Sequence, residues 1–546
     1  MDLLWYPLLA GALLLPAAWL WRRHAPVEAV ALGAAIGVAG WAAGALGRFF
    51  LVLAPGPPRT AGLLALAGAA LGSGTLVWWT RADQPDRPTR RGPSPRTLLL
   101  AIAGVAAMTL GIEATVPHYG IAMLFWDWWE HFDLANFYRA PSGFWRSYGD
   151  GSTITSRTPL FNLLASLALS AVGDRFTIFQ VVAAAVGWLW ALPAALLARR
   201  VLGSPGSGLI AALALSPMIL FCTAYTWPKG LVLFCALLAL ERFLGLTAAP
   251  ADAAPRRGLE FGLAGGLTVM AHAGFVGYLL PLYVLLGRDA LRRRRWRAGL
   301  LAVLMAALVA LPWYAWAVAQ YGWRAGLLGY PQPASPSIGL WIVDHVVILA
   351  SSLLPASLGM YRGIGLLPDL FIMYLGSAVG LLGAGFLLRT LARLLGRRPA
   401  TARPDRGPAR AIVAYAAGGV LIATVLINGW GNGWAAAQAV FLPALITLTM
   451  VALARWPATR AMVLIAVLEC LVVTAAALIY MWSAGGVREP NAVLAAQMRV
   501  RFLGQDTWPL GIAILVAAAA GLVRIASRLA RPSPSAAPVP AIDDAA

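Results

Sequence analysis

The chain is a succession of apolar runs, each about the length of one membrane crossing, and this repetition constrains the fold more than any other feature. A helix needs roughly 20 apolar residues to cross the hydrocarbon, with a tolerance of about 17 to 25. Inside lipid only a helix or a closed barrel satisfies the backbone, and these runs are too long for barrel strands. They predict helices near 3–21, 28–53, 60–80, 97–116, 176–198, 207–222, 230–247, 258–271, 274–287, 298–318, 367–388, 411–427, 435–454, 461–482 and 508–525. The expected fold is all-α, a polytopic membrane helix bundle of about 15 transmembrane helices with amphipathic juxtamembrane helices on its outer face. Composition agrees: 12% charged residues among 60% hydrophobic ones is about half the charge of a soluble domain.

The charge is lopsided, with Lys+Arg 42 against Asp+Glu 22 and a net +20. Such an excess can mark a nucleic-acid binder, so its distribution decides. Eight groups (Arg22–Arg23, Arg81 to Arg96, Arg199–Arg200, Arg256–Arg257, Arg288 to Arg297, Arg389 to Arg410, Arg455 with Arg460, and Arg524 to Arg531) hold 29 of the 42 cations. They fall at alternate ends of successive spans. By the positive-inside rule all eight lie in the cytoplasm, with the amino terminus outside, and no nucleic-acid partner is implied. The alternation requires 159–173, a short apolar stretch, not to cross; it is expected as an interfacial or re-entrant helix on the outer face.

The chain then divides into a three-span N-terminal extension with an Arg-rich loop (1–96), a core (97–455) with outer loops 117–175 and 319–366, C-terminal spans (456–531) with an outer loop 483–507, and a disordered cytoplasmic tail (532–546). The stretch Leu3 to Leu20 lacks the basic start of a signal peptide and reads as a retained helix. Cys222, Cys235 and Cys470 lie in apolar segments without C-x-x-C spacing, so neither a disulfide framework nor a zinc site is supported.

The first outer loop carries the chemistry. In the segment Phe125 to Tyr138, helical spacing puts Phe125, Trp128, Trp129 and Phe132 on one face and Asp127, Glu130, His131 and Tyr138 on the other. The aromatic face is expected to anchor at the lipid headgroups, leaving two carboxylates and an imidazole within a turn. The competing reading is an interfacial anchor whose acids are merely solvated. Of five histidines, His118, His131, His272 and His345 fall on the predicted outer side, and His24 on the inner. Lys229 is the only lysine. It stands in Tyr225–Thr226–Trp227–Pro228–Lys229 at the outer mouth of a span, where a compact ammonium suits a phosphate oxygen; a snorkelling lysine beside a Trp is the alternative. Arg48, Glu113 and Glu469 are charges inside spans and equally suit structural pairs.

The order of these features resembles the GT-C glycosyltransferases, membrane enzymes that use polyprenyl-phosphate sugars and include protein O-mannosyltransferases and lipid A aminoarabinose transferases. The residues that carry the resemblance are Asp127 after the span 97–116, the loop motif Arg157–Thr158–Pro159–Leu160, the turn Leu196 to Gly203, and the paired short spans around Gly262 to Gly274. It covers roughly 97–455. Two departures are Trp128 and Trp129 between Asp127 and Glu130, where the family often has adjacent acids, and Thr158 in place of the loop motif's first proline.

The resemblance implies inverting transfer of a sugar from a polyprenyl-phosphate donor to an envelope lipid, glycan or protein on the non-cytoplasmic face, in a bacterial cytoplasmic membrane. It casts Asp127 as general base, helped by His131 or Glu130. Arg157, Lys229 and His272 become candidates for the donor phosphate, and Tyr138, Tyr148 and Tyr225 weaker candidates for substrate contact. No cofactor is expected; Asp127, Glu130 and His131 are compatible with a divalent metal but fix no coordination set. The competing classes are a flippase or transporter of lipid-linked sugars, which predicts polar residues along a path across the bilayer, and a non-enzymatic scaffold for envelope assembly.

Overall fold

The computed structural model describes residues 2–20, 24–52, 95–117, 125–140, 154–203, 206–224, 226–328, 339, 406–426, 434–455, 471 and 501–530. The spans expected at 60–80, 367–388 and 461–482, the tail 532–546, and His118, Tyr148, Tyr225, His345, Glu469 and Cys470 lie outside the described residues. In chain order the helices are α1 (Trp5–Leu20), α2 (Pro26–Val52), α3 (Pro95–Thr115), α4 (Phe125–Arg139), α5 (Leu160–Val172), α6 (Phe176–Gly187), α7 (Ala191–Leu202), α8 (Ser207–Leu215), α9 (Pro217–Ala224), α10 (Lys229–Ala248), α11 (Ala254–Ala271), α12 (Val276–Arg293), α13 (Trp296–Leu328), α14 (Arg406–Leu426), α15 (Trp434–Arg455) and α16 (Gly504–Ala526).

The described residues contain no strand, and seven of their segments are long and apolar enough to cross a membrane. The chain is an integral, multi-pass membrane protein. The segment Phe176–Leu202 and α10 are almost wholly buried, whereas α12, α13 and α16 leave most of their apolar surface outward, the pattern of a central pair ringed by lipid-facing helices. Helix breaks follow local chemistry. Pro217 lacks an N–H and presses Ser216 into an extended conformation, so the run expected as one span at 207–222 is the pair α8–α9. Gly203, at φ 65°, closes α7 in the left-handed conformation. With 13 residues, and so a length of about 20 Å, α5 is shorter than one crossing.

Small residues let the helices approach closely. Gly258, Gly262 and Gly266 form one stripe of α11 that lies on Ala298, Ala302 and Ala306 of α13, so close that a Cβ at Gly262 would sit 2.2 Å from the Ala302 carbonyl oxygen. The two helices therefore run parallel. α16 runs antiparallel to α3: Gly504 lies against Val116 at one end, and Arg528 donates to Thr97 at the other (3.0 Å).

Arg200, Arg242, Arg256 and Arg257 gather at one end of the bundle. There Arg200 meets Glu241 (2.8 Å), Arg242 meets Glu28 (3.0 Å) and Glu260 (2.9 Å), and Arg257 also reaches Glu28 (3.0 Å). These pairs tie α2, α7, α10 and α11 together, so the N-terminal helices pack directly on the core. Glu241, Arg242 and Glu260 lie inside apolar runs and were not singled out by the sequence reading. A second buried link joins α3, α6 and the start of α16: Gln180 donates to Glu113 (2.9 Å) and accepts from the backbone N–H of Leu503 (2.8 Å).

Candidate active site

The site is assembled at the opposite end, where α10 begins and α11 finishes. Its first wall is α4. Trp128 packs edge-on against Phe176 and Phe502, and Phe132 against Phe176 and Phe179. Trp128 is 2% exposed and Phe132 7%. The expectation that these rings anchor in lipid headgroups is thus corrected: α6 and the segment before α16 offer an aromatic surface that excludes water more fully than the membrane interface does.

The other side of α4 is buried as well. Glu130 receives Arg157 at 2.7 Å, and His131 Nδ1 lies 2.9 Å from Oδ1 of Asn162 on α5. The Phe161 ring stands edge-on to His131. Asp127 is on the same helix one turn before His131, the i, i+4 spacing that shares a face; its side chain lies outside the described residues.

Thr158 connects this wall to the next. Its hydroxyl donates to the carbonyl of Ala271, the last residue of α11, at 2.6 Å. The departure from proline at this position thus has a structural use, because a proline has no hydroxyl to make the bond. Immediately beyond, His272 caps a short 3-10 turn and its Nδ1 accepts the N–H of Gly274 at 3.1 Å. The other ring nitrogen, Nε2, lies 3.2 Å from Lys229 Nζ, and that ammonium stands 5.4 Å from the Trp227 ring centroid.

Electrostatics make one site of these groups. Burial, then the neighbouring Lys229, Arg157 and His131, hold His272 well below the ordinary imidazole range. With Nδ1 engaged by the Gly274 N–H, the Lys229 ammonium and the Nε2 edge of His272 converge on one point. Such a convergence is complementary to an anionic oxygen. Half-buried on another flank of α4, the Asp133 carboxyl is pushed up to about 6 by that burial, against a lowering hydrogen bond from Trp129.

Glu130, His131, Arg157, Lys229 and His272 are therefore brought together, with Glu130 and Arg157 paired to each other rather than acting apart. Tyr138 is not part of the group: it is 1% exposed, accepts Trp313 Nε1 at 2.9 Å and packs on Phe49 and Phe137. Its expected contact with substrate is replaced by a packing role, because α2 and α13 cover its hydroxyl. Asn162 is the residue that sequence reading missed, and Thr158, noted there as a departure from the motif, gains its partner only in the fold. The available signal for Asn162 was a lone amide in an otherwise apolar run, since a buried amide needs a partner. Among the described residues no three His, Cys, Asp or Glu side chains gather as a metal site.

No family model matches the sequence, and no curated protein matches it. Two solved structures of ArnT from Cupriavidus metallidurans, one bound to undecaprenyl phosphate and one in the apo state, align with the chain at a TM-score of 0.48 and 14% identity. Each alignment covers 80% of this chain, and 78% and 77% of the respective ArnT chains.

Proposed function

We propose that the chain is a membrane glycosyltransferase of GT-C type, which moves a sugar from a polyprenyl-phosphate donor to a hydroxyl of an envelope lipid, glycan or protein. The reaction takes place at the end of the bundle away from the arginines, on the non-cytoplasmic face of a bacterial cytoplasmic membrane, with inversion at the anomeric carbon. The observation that carries this reading is the convergence of Arg157, Lys229 and the His272 imidazole beside the acid and imidazole of α4.

The chemistry asks for this combination. A polyprenyl-phosphate sugar is a phosphodiester with one negative charge, and the departing polyprenyl phosphate gains a second. Donors already aimed at the phosphate stabilise that added charge without reorganising. Asp127 takes the acceptor proton as the oxygen attacks, with His131 as its helper; Glu130, engaged by Arg157, instead holds that guanidinium in place. The outward apolar surfaces of α12 and α13 suit a long-chain lipid donor arriving from the bilayer.

The test is sugar transfer by the purified protein in liposomes, with a panel of polyprenyl-phosphate sugars and separated glycan and lipid acceptors. Transfer from one of them, lost in Asp127→Asn, supports the reading. Movement of the lipid-linked sugar across the bilayer without transfer makes the protein a flippase, and neither activity makes it a scaffold.

A further inference from the structure

The corner between α12 and α13 holds six arginines and one acid between residues 288 and 297. Two of the arginines fasten it. Arg293 meets Asp289 at 2.8 Å and donates to the carbonyl of Thr247 at 3.3 Å, while Arg295 lies 4.0 Å from Asp289 and donates to the carbonyl of Leu246 at 3.5 Å. Both carbonyls belong to the last turn of α10, so the corner is tied to the arginine end of the bundle. Arg288, Arg292, Arg294 and Arg297 are exposed, and no acid among the described residues pairs with them. Arg294 ends α12 at φ 53°, in the left-handed conformation that α7 gives to Gly203. An L side chain is strained there, so the turn alone favours glycine; arginine adds a further exposed guanidinium to the corner.

Exposed apolar residues run up to these cations on both helices. Leu280, Val284 and Leu291 share one stripe of α12, and Trp296, Leu300 and Leu304 one stripe of α13. Leu291 is 84% exposed and Trp296 59%, and both helices are long and apolar enough to cross a membrane. The Arg297 guanidinium stands 5.5 Å from the Trp296 ring centroid. Charges beside the last residues of lipid-facing stripes sit at headgroup level, where Trp is favoured. Water satisfies the guanidiniums but not Leu291 and Trp296, and a soluble anion likewise leaves those two side chains uncovered. A phospholipid offers a phosphate to the arginines, which grip it by paired N–H donors, and hydrocarbon to the apolar pair.

We propose that the α12–α13 corner docks the headgroups of anionic phospholipids in the leaflet at the arginine end, with Arg292, Arg294 and Arg297 binding phosphate and Leu291 and Trp296 seated among the upper acyl carbons. Juxtamembrane basic clusters gain affinity from an anionic leaflet in this way. The 18 residues of α12, a length of about 27 Å, separate the corner from the turn at His272, and the inference does not rest on sugar transfer.

The test is lipid binding by the full-length protein in neutral detergent, read by native mass spectrometry during titration with phosphatidylglycerol or with phosphatidylcholine of the same chains. Wild-type protein should bind phosphatidylglycerol more tightly; equal retention of the two overturns the inference. The triple variant Arg292→Gln, Arg294→Gln, Arg297→Gln should bind phosphatidylglycerol on the order of 100-fold more weakly, at about fivefold per cation near a membrane surface, with phosphatidylcholine binding unchanged. Lysine at the same three positions should keep most of the preference. A glutamine variant that folds and retains the wild-type preference places the lipid elsewhere and sinks the site. If that variant does not fold, Arg294→Gly decides, since it removes one charge while relieving the left-handed turn: phosphatidylglycerol binding about fivefold weaker with no loss of thermal midpoint supports the site, and unchanged binding overturns it. Inorganic phosphate at the lipid's concentration should displace nothing; displacement makes this a site for a free anion and removes the lipid assignment.

Discussion

At the arginine end of the bundle, Arg200, Arg242, Arg256 and Arg257 share Glu28, Glu241 and Glu260; at the opposite end, the Glu130–Arg157 pair stands near Lys229 and the imidazoles of His131 and His272. Both ends are buried and both are ionic, but one is built of guanidiniums and carboxylates alone and the other adds an ammonium and imidazoles. Arg242 is 1% exposed and each of three acids compensates it, so its charge is spent inside the protein. A charge removed from water costs several kcal/mol unless partners repay it, which makes this network a clasp between α2, α10 and α11. The other group brings the Lys229 ammonium within 3.2 Å of the His272 imidazole beside the Glu130–Arg157 pair, side chains from α4, α10 and the loops before α5 and after α11.

The contrast breaks most sharply at Asp127. Asp127→Asn should lower sugar transfer by at least about 10³-fold, within the range of general-base catalysis, while the thermal midpoint in detergent stays put; a variant that keeps its turnover removes Asp127 from the base role. Next is Arg242→Leu, which removes the most deeply buried guanidinium of the network and should cost about 3–5 kcal/mol of stability, the scale of breaking a buried ion pair. A stable, folded Arg242→Leu variant would show that the clasp is dispensable. Lys229→Ala should do the reverse: a loss of about 10²-fold in kcat/KM for the lipid donor, on the scale of one removed charge-stabilising donor, with little change in stability. Unaltered donor use would return Lys229 to the role of an interfacial anchor.

Two smaller effects test the frame that holds the ends apart. Gly262→Val forces a side chain into the Ala302 carbonyl and should cost about 1–3 kcal/mol by overpacking, measured by thermal unfolding in lipid. Asp133 gives a pH signature. Burial holds its folded carboxyl up at about 6, above the ordinary carboxylate value of about 4, so the folded state holds more protons between those limits. Stability should therefore fall as pH rises from about 4 through 6. Asp133→Asn should flatten that slope, and a slope unchanged by the substitution assigns it to another group.

Much of the site was legible because its residues are chemically unusual for their surroundings. Lys229 stands out among arginines, and Asp127, Glu130 and His131 crowd one turn of a helix in an aromatic segment. Asn162 was not legible, and Thr158 was legible only as a departure from a motif, since each gains its meaning from a partner 31 or 113 positions away. The orientation of α4 was misread for a related reason. Its aromatic stripe fits a headgroup layer and a protein interior equally well, and the neighbours Phe176, Phe179 and Phe502 decide between them.

By itself the sequence determined that the chain is helical, that it crosses the membrane many times, and which ends of its helices gather the arginines. Those properties follow from local quantities, the length of each apolar run and the charge beside it, which need no distant partner. Only the tertiary structure decided that Glu241, Arg242 and Glu260 form a closed clasp, that Tyr138 is packing, and that His131 and His272 meet different partners. Each of those depends on which atoms from remote helices come within hydrogen-bond distance, and a linear pattern holds no information about that until the helices are packed.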